Sequence, residues 1–303
     1  MLVYDLDDNL LHIPRDHPDA TDLRPKAKIV QRMLRHADRV FVSTAPLAAS
    51  LSAMRTDAVV IPNGLDERLW GQAQAAGRRP HGPVRILCMG TATHNADFVM
   101  IEPALARIHA EFGFRVSIDM LGFSSSADLP AWVRRISMTP NASASYPGFV
   151  DWIVREPAWD IGLAPLADTA FNRCKSPIKT LDYAAIGMAV LASDVDVYRG
   201  SVADGVGGML VPNDPAAWYA AISRLIRDTE LRGRLARGAK TAYGTQGTLA
   251  VQAAARRAAW MDALGAAKKP ASRKTQQSGT VTPPRTRPPA EMEHPNKARP
   301  AAR

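Results

Sequence analysis

Cysteine is nearly absent from the chain. Cys88 and Cys174 are the only two in 303 residues, and they lack the spacing of a metal site. That excludes a disulfide framework and points to a reduced, cytoplasmic setting. Long hydrophobic runs are absent too. No stretch of eighteen apolar residues occurs, so no transmembrane helix is expected. The first residues, MLVYDLDDNLL, lack a basic leading region and carry acids early, so no secretory signal is expected. Most of the chain also lacks an excess of charge. The net charge is +9, but residues 266–303 hold nine lysines and arginines against two glutamates, a net of +7. The remainder is close to neutral, so the basic balance does not describe a nucleic-acid-binding surface, and no nucleic acid partner is expected.

What is present is a chain long enough for two domains, each with its own core. Strands are expected near Leu2–Tyr4, Val40–Ser43 and Val59–Pro62, with helices at 26–36 and 46–54. Residues 1–75 therefore read as the end of one α/β domain. Residues 76–83 read as a linker by composition. From 84 onward strand and helix alternate: strands near Arg85–Met89, Val116–Leu121, Asp160–Ala164, Ala189–Ser193 and Gly208–Val211, helices near 97–112, 177–187 and 215–228. That alternation implies a doubly wound parallel sheet over 84–247. A last helix is expected over 248–265.

The richest stretch is DIGLAPLADTAFNRCKSPIKTLDYAAIGMAVLASDV, residues 160–195. It reads as a buried strand, a polar loop, a helix and a second buried strand. Ser176 followed by Pro177 has the form of a helix start, a capping hydroxyl and then proline at the first helical position. The unpaired N–H groups of Ile178 and Lys179, with the helix dipole, would make an anion site at the carboxyl edge of the sheet. Lys175 and Lys179 add positive charge there. One turn further in, Asp182 is placed to accept hydrogen bonds from sugar hydroxyls. An exposed pair between Lys179 and Asp182, three residues apart on a helix, is the competing reading, worth about 0.2–0.5 kcal/mol.

At these residues the chain resembles the C-terminal half of retaining glycosyltransferases of family 4, which have the two-domain GT-B fold. LDYAAIGMAVLAS (181–193) is similar to the family's "lEAmA-x-G-x-PV-xAS" pattern. Asp182 takes the place of the glutamate that binds the nucleotide ribose, and Cys174 stands where another glutamate contacts the donor sugar. Phe171, Asn172, Lys175, Ser176 and Lys179 fit a branch reading "FN-x-x-KS-x-x-K-x-LEY". VVIPNGLDERLW (59–70) resembles the family's interdomain signature, and ADRVFVSTAPLAASL (37–51) the strand and helix before it. GGMLVPNDPAAWYAAISRLIRD (207–228) resembles a later segment, and LDDNLLHIP the "DDD" segment late in the first domain. The order of these matches implies a GT-B architecture in which residues 1–75 correspond to the last part of the acceptor-side Rossmann-like domain. It implies a glycosyltransferase that moves a sugar from a nucleotide sugar to a glycan or lipid-linked acceptor with retention, with no other cofactor. Two alternatives stand beside it: a non-catalytic, nucleotide-binding remnant and a GT-B-fold sugar-nucleotide epimerase.

In the resemblance, the loop Gly90-Thr91-Ala92-Thr93-His94 approaches the donor diphosphate. Contact is expected through Gly90 and Thr91, while His94 is balanced between contact and a solvated loop position. No lysine or arginine occurs between Gly90 and Arg107. By its own residues Cys174 reads as a packed thiol, since a catalytic cysteine needs a nearby base and none is visible in the sequence. Asp5, Asp7 and Asp8 are oxygen ligands of the kind Mg²⁺ takes, but acids at a strand end more often cap the next element, and no metal is expected. His12 and Asn63-Gly64 fall near the expected cleft, the latter as a turn.

Residues 266–303 contain seven prolines and almost no large apolar side chain, so this basic tail is expected to be disordered. Its charge fits an anionic membrane surface, bound without a helix, at about 1 kcal/mol per basic residue near the lipid. This predicts that the full chain co-sediments with anionic vesicles at low salt more than a chain ending at Gly265 does, and that salt abolishes the difference. Equal sedimentation removes the tail as a tether.

Overall fold

Among the described residues, short runs rich in Val, Ile, Leu and Ala form nine parallel strands in two sheets. The computed structural model describes residues 1–71, 82–122, 129–156 and 159–268. Residues 76–81 of the expected linker, and the expected tail from 269 onward, lie outside these. The first sheet joins β1 (Val3–Leu6), β2 (Arg39–Val42) and β3 (Val59–Val60) in that order. Its helices are α1 (Ala20–Leu23), α2 (Ala27–His36) and α3 (Ala45–Ser50); α4 (Glu67–Trp70) follows β3, and its Trp70 is buried in the core of the second sheet. Thr44 caps α3 by accepting from the Leu47 N–H at 3.2 Å.

The second sheet contains β4 (Val84–Met89), β5 (Val116–Leu121), β6 (Val133–Ile136), β7 (Ile161–Ala164), β8 (Ala189–Ser193) and β9 (Met209–Val211). Its order is β6-β5-β4-β7-β8-β9, so the strand order reverses between β4 and β7. Helices α5 (Asn95–Phe112), α6 (Pro140–Ala144), α7 (Tyr146–Ile153), α8 (Ile178–Ile186), α9 (Asp196–Arg199), α10 (Pro215–Arg227) and α11 (Thr229–Gln246) cover it. Alternate residues of β4 serve opposite faces. Ile86 and Cys88 pack with Ile101, Leu105 and Trp218, while Leu87 and Met89 pack with Tyr183 and Trp159. Cys88 is fully enclosed, and burial pushes its thiol up to about 12, which leaves it no thiolate chemistry.

β6, α6 and α7 were not expected from the sequence. β6 is an edge strand on which only Val133 is buried, so its apolar alternation is too weak to read. The helix α12 (Leu249–Lys268) reaches the first sheet, where Trp260 meets Phe41 edge-on with ring centroids 5.1 Å apart. Among the described residues, no helix is long and apolar enough to cross a membrane.

One buried charge organises the middle of the second sheet. Asp119 on β5 is fully buried and accepts from Arg85 at 2.9 Å, Trp159 Nε1 at 2.7 Å, Ser117 at 2.7 Å and Arg134. These donors outweigh desolvation and hold its carboxyl below the usual range. Asp119→Ala removes the shared partner of two arginines. It is predicted to cost about 3–5 kcal/mol, read as a lower urea midpoint at unchanged m-value.

Candidate functional site

In an open parallel sheet, ligands bind outside the carboxyl ends of the strands where the order reverses. Here that crevice lies between the loops that follow β4 and β7. The β4 loop folds back tightly. Gly90 N–H donates to Leu121 O at 3.0 Å, and a Cβ on Gly122 would sit 2.1 Å from Gly90 O. Gly122 has φ +78°, so the position suits glycine on both counts. Thr91 is exposed, with its hydroxyl 2.7 Å from that of Thr93. Asp97, at the start of α5, is 3% exposed and ties the two loops together. One of its oxygens accepts from Ala167 N–H at 2.7 Å and the other lies 2.7 Å from His94 Nδ1.

The β7 loop ends in a single 3₁₀ turn, Asn172–Cys174, before α8. Ser176 does not cap this helix, contrary to the sequence expectation. Pro177 occupies the capping position, and the Ser176 hydroxyl accepts instead from Asn63 Nδ2 at 2.9 Å. The reason is the neighbouring first sheet, whose last loop brings Asn63 to the hydroxyl from 113 residues away in sequence. Asn63 also donates to Asp7 Oδ1 at 2.8 Å, so it is more than the turn residue expected. Cys174 is also corrected. Its side chain is 4% exposed and belongs to the apolar core of the first sheet with Leu6, Leu34 and Leu47. Its thiol accepts from Asn9 Nδ2 at 3.5 Å, and its carbonyl from Thr44 at 2.8 Å. A side chain packed there is not offered to a donor sugar, which leaves the packed-thiol reading.

Lys175 Nζ sits 3.5 Å from Asp8 and 4.9 Å from the centre of the Phe171 ring. By helix geometry the N–H groups of Ile178 and Lys179 have no partner within the helix. Lys179 Nζ and Asp182 Oδ1 are both buried, and neither has a hydrogen-bond partner. No ion pair joins them, so the exposed-pair reading does not hold. Burial lowers the Lys179 ammonium from its ordinary value and pushes the Asp182 carboxyl up to about 8.

Two tyrosines missed in the sequence lie within the electrostatic reach of the same carboxyl. Tyr243 of α11 is 5% exposed with an unpartnered hydroxyl. Tyr146 of α7 accepts from Trp70 Nε1 at 3.0 Å. Burial first, and then the Asp182 charge, push the Tyr146 phenol up to about 12. No sequence signal links these positions to Asp182; they meet only through the fold. The His94-x-x-Asp97 spacing, by contrast, was a readable one-turn pair. Behind α8 a cavity of about 350 Å³ is lined by Asn63, Thr180, Leu181, Ser201, Tyr243 and Gln252, among others. Among the described residues no cluster of three His, Cys, Asp or Glu is placed to hold a metal.

Residues 83–228 match the family model described as "Glycosyl transferases group 1". The phosphatidyl-myo-inositol mannosyltransferase of Mycolicibacterium smegmatis is 28% identical over 212 residues, which is 68% of this chain and 52% of that protein. The enzyme of the same name from Mycobacterium tuberculosis is 28% identical over 191 residues, 60% of this chain and 47% of that protein. The chain thus spans about half the length of the curated relatives it matches. Among solved structures, Anabaena HepE in complex with UDP-glucose aligns with a TM-score of 0.62 at 16% identity, covering 86% of this chain and 72% of that one. Sucrose-phosphate synthase from Thermosynechococcus elongatus gives 0.62 at 16% identity, covering 87% and 68%. These likenesses show the fold, an α/β architecture of GT-B type.

The Asp182 carboxyl has a consequence for stability. Its value of about 8 in the folded chain exceeds the roughly 3.9 of an unfolded aspartate. Between these values the folded state holds the extra proton, so this residue's contribution falls as pH rises, by at most about 1.4 kcal/mol per pH unit. Asp182→Asn is predicted to gain in melting temperature over the parent on going from pH 5 to pH 8. A constant difference across that range would show that Asp182 ionises normally in the folded chain.

Proposed function

We propose that the chain is the nucleotide-sugar-binding part of a glycosyltransferase that passes a sugar to a glycan or lipid-linked acceptor with retention. One observation carries the reading. A helix starts at the reversal of strand order with Lys175 beside it, and its first two turns hold an unpartnered buried lysine and an unpartnered buried aspartate. An isolated buried charge is unfavourable without a partner, and a nucleoside diphosphate supplies partners for both. Its phosphates suit the helix N–H groups, Lys175 and Lys179, and its ribose hydroxyls suit Asp182.

In this reading Lys175, Lys179 and the N–H groups of Ile178 and Lys179 stabilise the negative charge that develops on the leaving nucleotide diphosphate. Gly90 and Thr91 line the facing side. Preorganised donors cost no reorganisation at the moment of reaction, so this arrangement lowers the barrier. The mannosyltransferase relatives, named for a phosphatidylinositol acceptor, support a lipid-linked acceptor here, and the UDP-glucose complex of HepE supports a nucleotide sugar as donor. The burial of Cys174 favours a second reading, a chain that binds the nucleotide but does not transfer the sugar.

The test is calorimetric titration of the full chain with UDP, GDP and dTDP. At least one binds. Lys175→Ala weakens it about ten- to a hundredfold, the loss of one charge-assisted hydrogen bond of about 1.5–3 kcal/mol, and Asp182→Ala about two- to tenfold, the loss of a neutral hydrogen bond of about 0.5–1.5 kcal/mol. Absence of heat at millimolar concentrations of all three sinks the reading. Binding without turnover of UDP-glucose or GDP-mannose selects the non-catalytic alternative.

A further inference from the structure

The cavity behind α8 has no part in the nucleotide site. At about 350 Å³ it is more than twice the roughly 150 Å³ that encloses a benzene ring in an apolar core. Protein interiors hold few voids larger than a water molecule, so a space of this size between α8, β8 and α11 is a built feature. Small residues open it. Gly207 is buried, yet a Cβ there would meet nothing nearer than 3.7 Å. Ala184 lines the cavity from α8. Val190, Val202 and Ala239 form the floor, each 4% exposed or less. Asn63, Gln246 and Gln252, which are more exposed, stand at the rim.

The lining says what the cavity takes. Among the described residues that line it none is charged, and an ionised group buried there would lack a partner. Its polar groups satisfy one another. Thr180 donates to Pro177 O at 2.8 Å, and its hydroxyl lies 3.3 Å from that of Ser201. Asn63 Nδ2 serves Asp7 and Ser176. Gln252 Nε2 donates to Asn63 O at 3.1 Å, while its Oε1 accepts from Arg256 at 3.3 Å. A ligand that reaches the floor therefore meets hydrocarbon, and apolar burial drives its binding. The rim in turn adjoins the start of α8. Pro177 lines the cavity, and Asn63 bonds to Ser176, the neighbour of Lys175.

Resting on the glycosyltransferase reading above, we propose that this cavity binds a single hydrocarbon chain, the apolar end of the lipid-linked acceptor, whose polar head stays at the rim beside the start of α8. Burying the chain supplies binding energy away from the reacting atoms and holds the head in place. Neither sheet forms the site alone. The second sheet and its helices give the floor, and the last loop of the first sheet, with α12, gives the rim.

The experiment titrates the full chain calorimetrically with 1-octanol, with n-octyl β-glucoside as monomer, and with glucose. UDP-glucose and GDP-mannose are titrated into the same samples. Both chain compounds are expected to bind with a negative heat-capacity change, the mark of apolar burial, and glucose is not. Affinity rises with chain length from 1-butanol and levels off once the cavity is full, whereas a surface patch gives no plateau. Gly207→Leu and Ala184→Leu, which fill the cavity from two different walls, are expected to weaken both chain compounds by about tenfold or more. Both keep the wild-type affinity for whichever nucleotide sugar binds. Wild type that binds neither chain compound, chain affinity without a plateau, or equal binding by a folded filling variant overturns the cavity assignment, and the nucleotide heats still decide the other reading. If 1-octanol binds and octyl glucoside does not, the cavity takes a free hydrocarbon and the acceptor assignment is wrong. If the chain compounds bind and no nucleotide sugar does, the glycosyltransferase reading falls and takes the acceptor assignment with it.

Discussion

The hydroxyl of Tyr183 holds the site together. It accepts from Met89 N–H at 2.8 Å and donates to Leu163 O at 2.9 Å, bridging the ends of β4 and β7 where the strand order reverses. The ring lies so close to β7 that a Cβ on Gly162 would sit 2.5 Å from it, so glycine at 162 lets α8 approach the sheet. Tyr183 belongs to α8, and this one contact fixes both the depth and the direction of that helix. Lys179 and Asp182 are buried, and Lys175 stands at the crevice, because α8 is pinned there. The Asp97 bond to Ala167 repeats the same bridging one layer further out, between the loops rather than the strands.

That pinning sets apart two kinds of buried charge. Asp119 is buried with four donor side chains, and the sheet keeps it ionised. Lys179 Nζ and Asp182 Oδ1 are buried without hydrogen-bond partners, and burial shifts both groups toward their neutral forms. A fold built only for stability would fill such positions with apolar side chains, since a well-packed hydrophobic residue is often more stable than a buried ion. Polar atoms left unpaired at the reversal point are therefore best explained by a partner that arrives from solution.

Much of the fold was legible because it rests on local pattern. β5 and β8 lie where their apolar runs place them, and α10 begins at Pro215 after Asp214, which accepts from Ala217 N–H at 2.9 Å. The positions of Lys175, Lys179 and Asp182 followed from the same loop-to-helix reading. What escaped was set by partners distant in sequence. Ser176 has the form of a cap, but Asn63, 113 residues away, takes its hydroxyl. Cys174 lies next to Lys175 in the loop, yet the core of the first sheet claims its side chain. Tyr146 and Tyr243 approach Asp182 from opposite directions in the chain. Periodicity carries no information about which remote segment reaches a given atom first, so the elements could be read while their partners could not.

The seam between the two sheets gives these partners a common logic. Asp7, through Asn63, reaches Ser176, and Asp8 faces Lys175 at 3.5 Å. Both links run from the acidic segment after β1 to the start of α8, where an anion is best accommodated. The acidic segment thus sets its negative charge against the start of α8. Asp8 is 44% exposed and Lys175 19%, so the contact is solvent-screened and weak enough to exchange. The acids after β1 are thus held at the seam, Asp7 by Asn63 and Asp8 by Lys175, and their charge is spent on joining the two sheets.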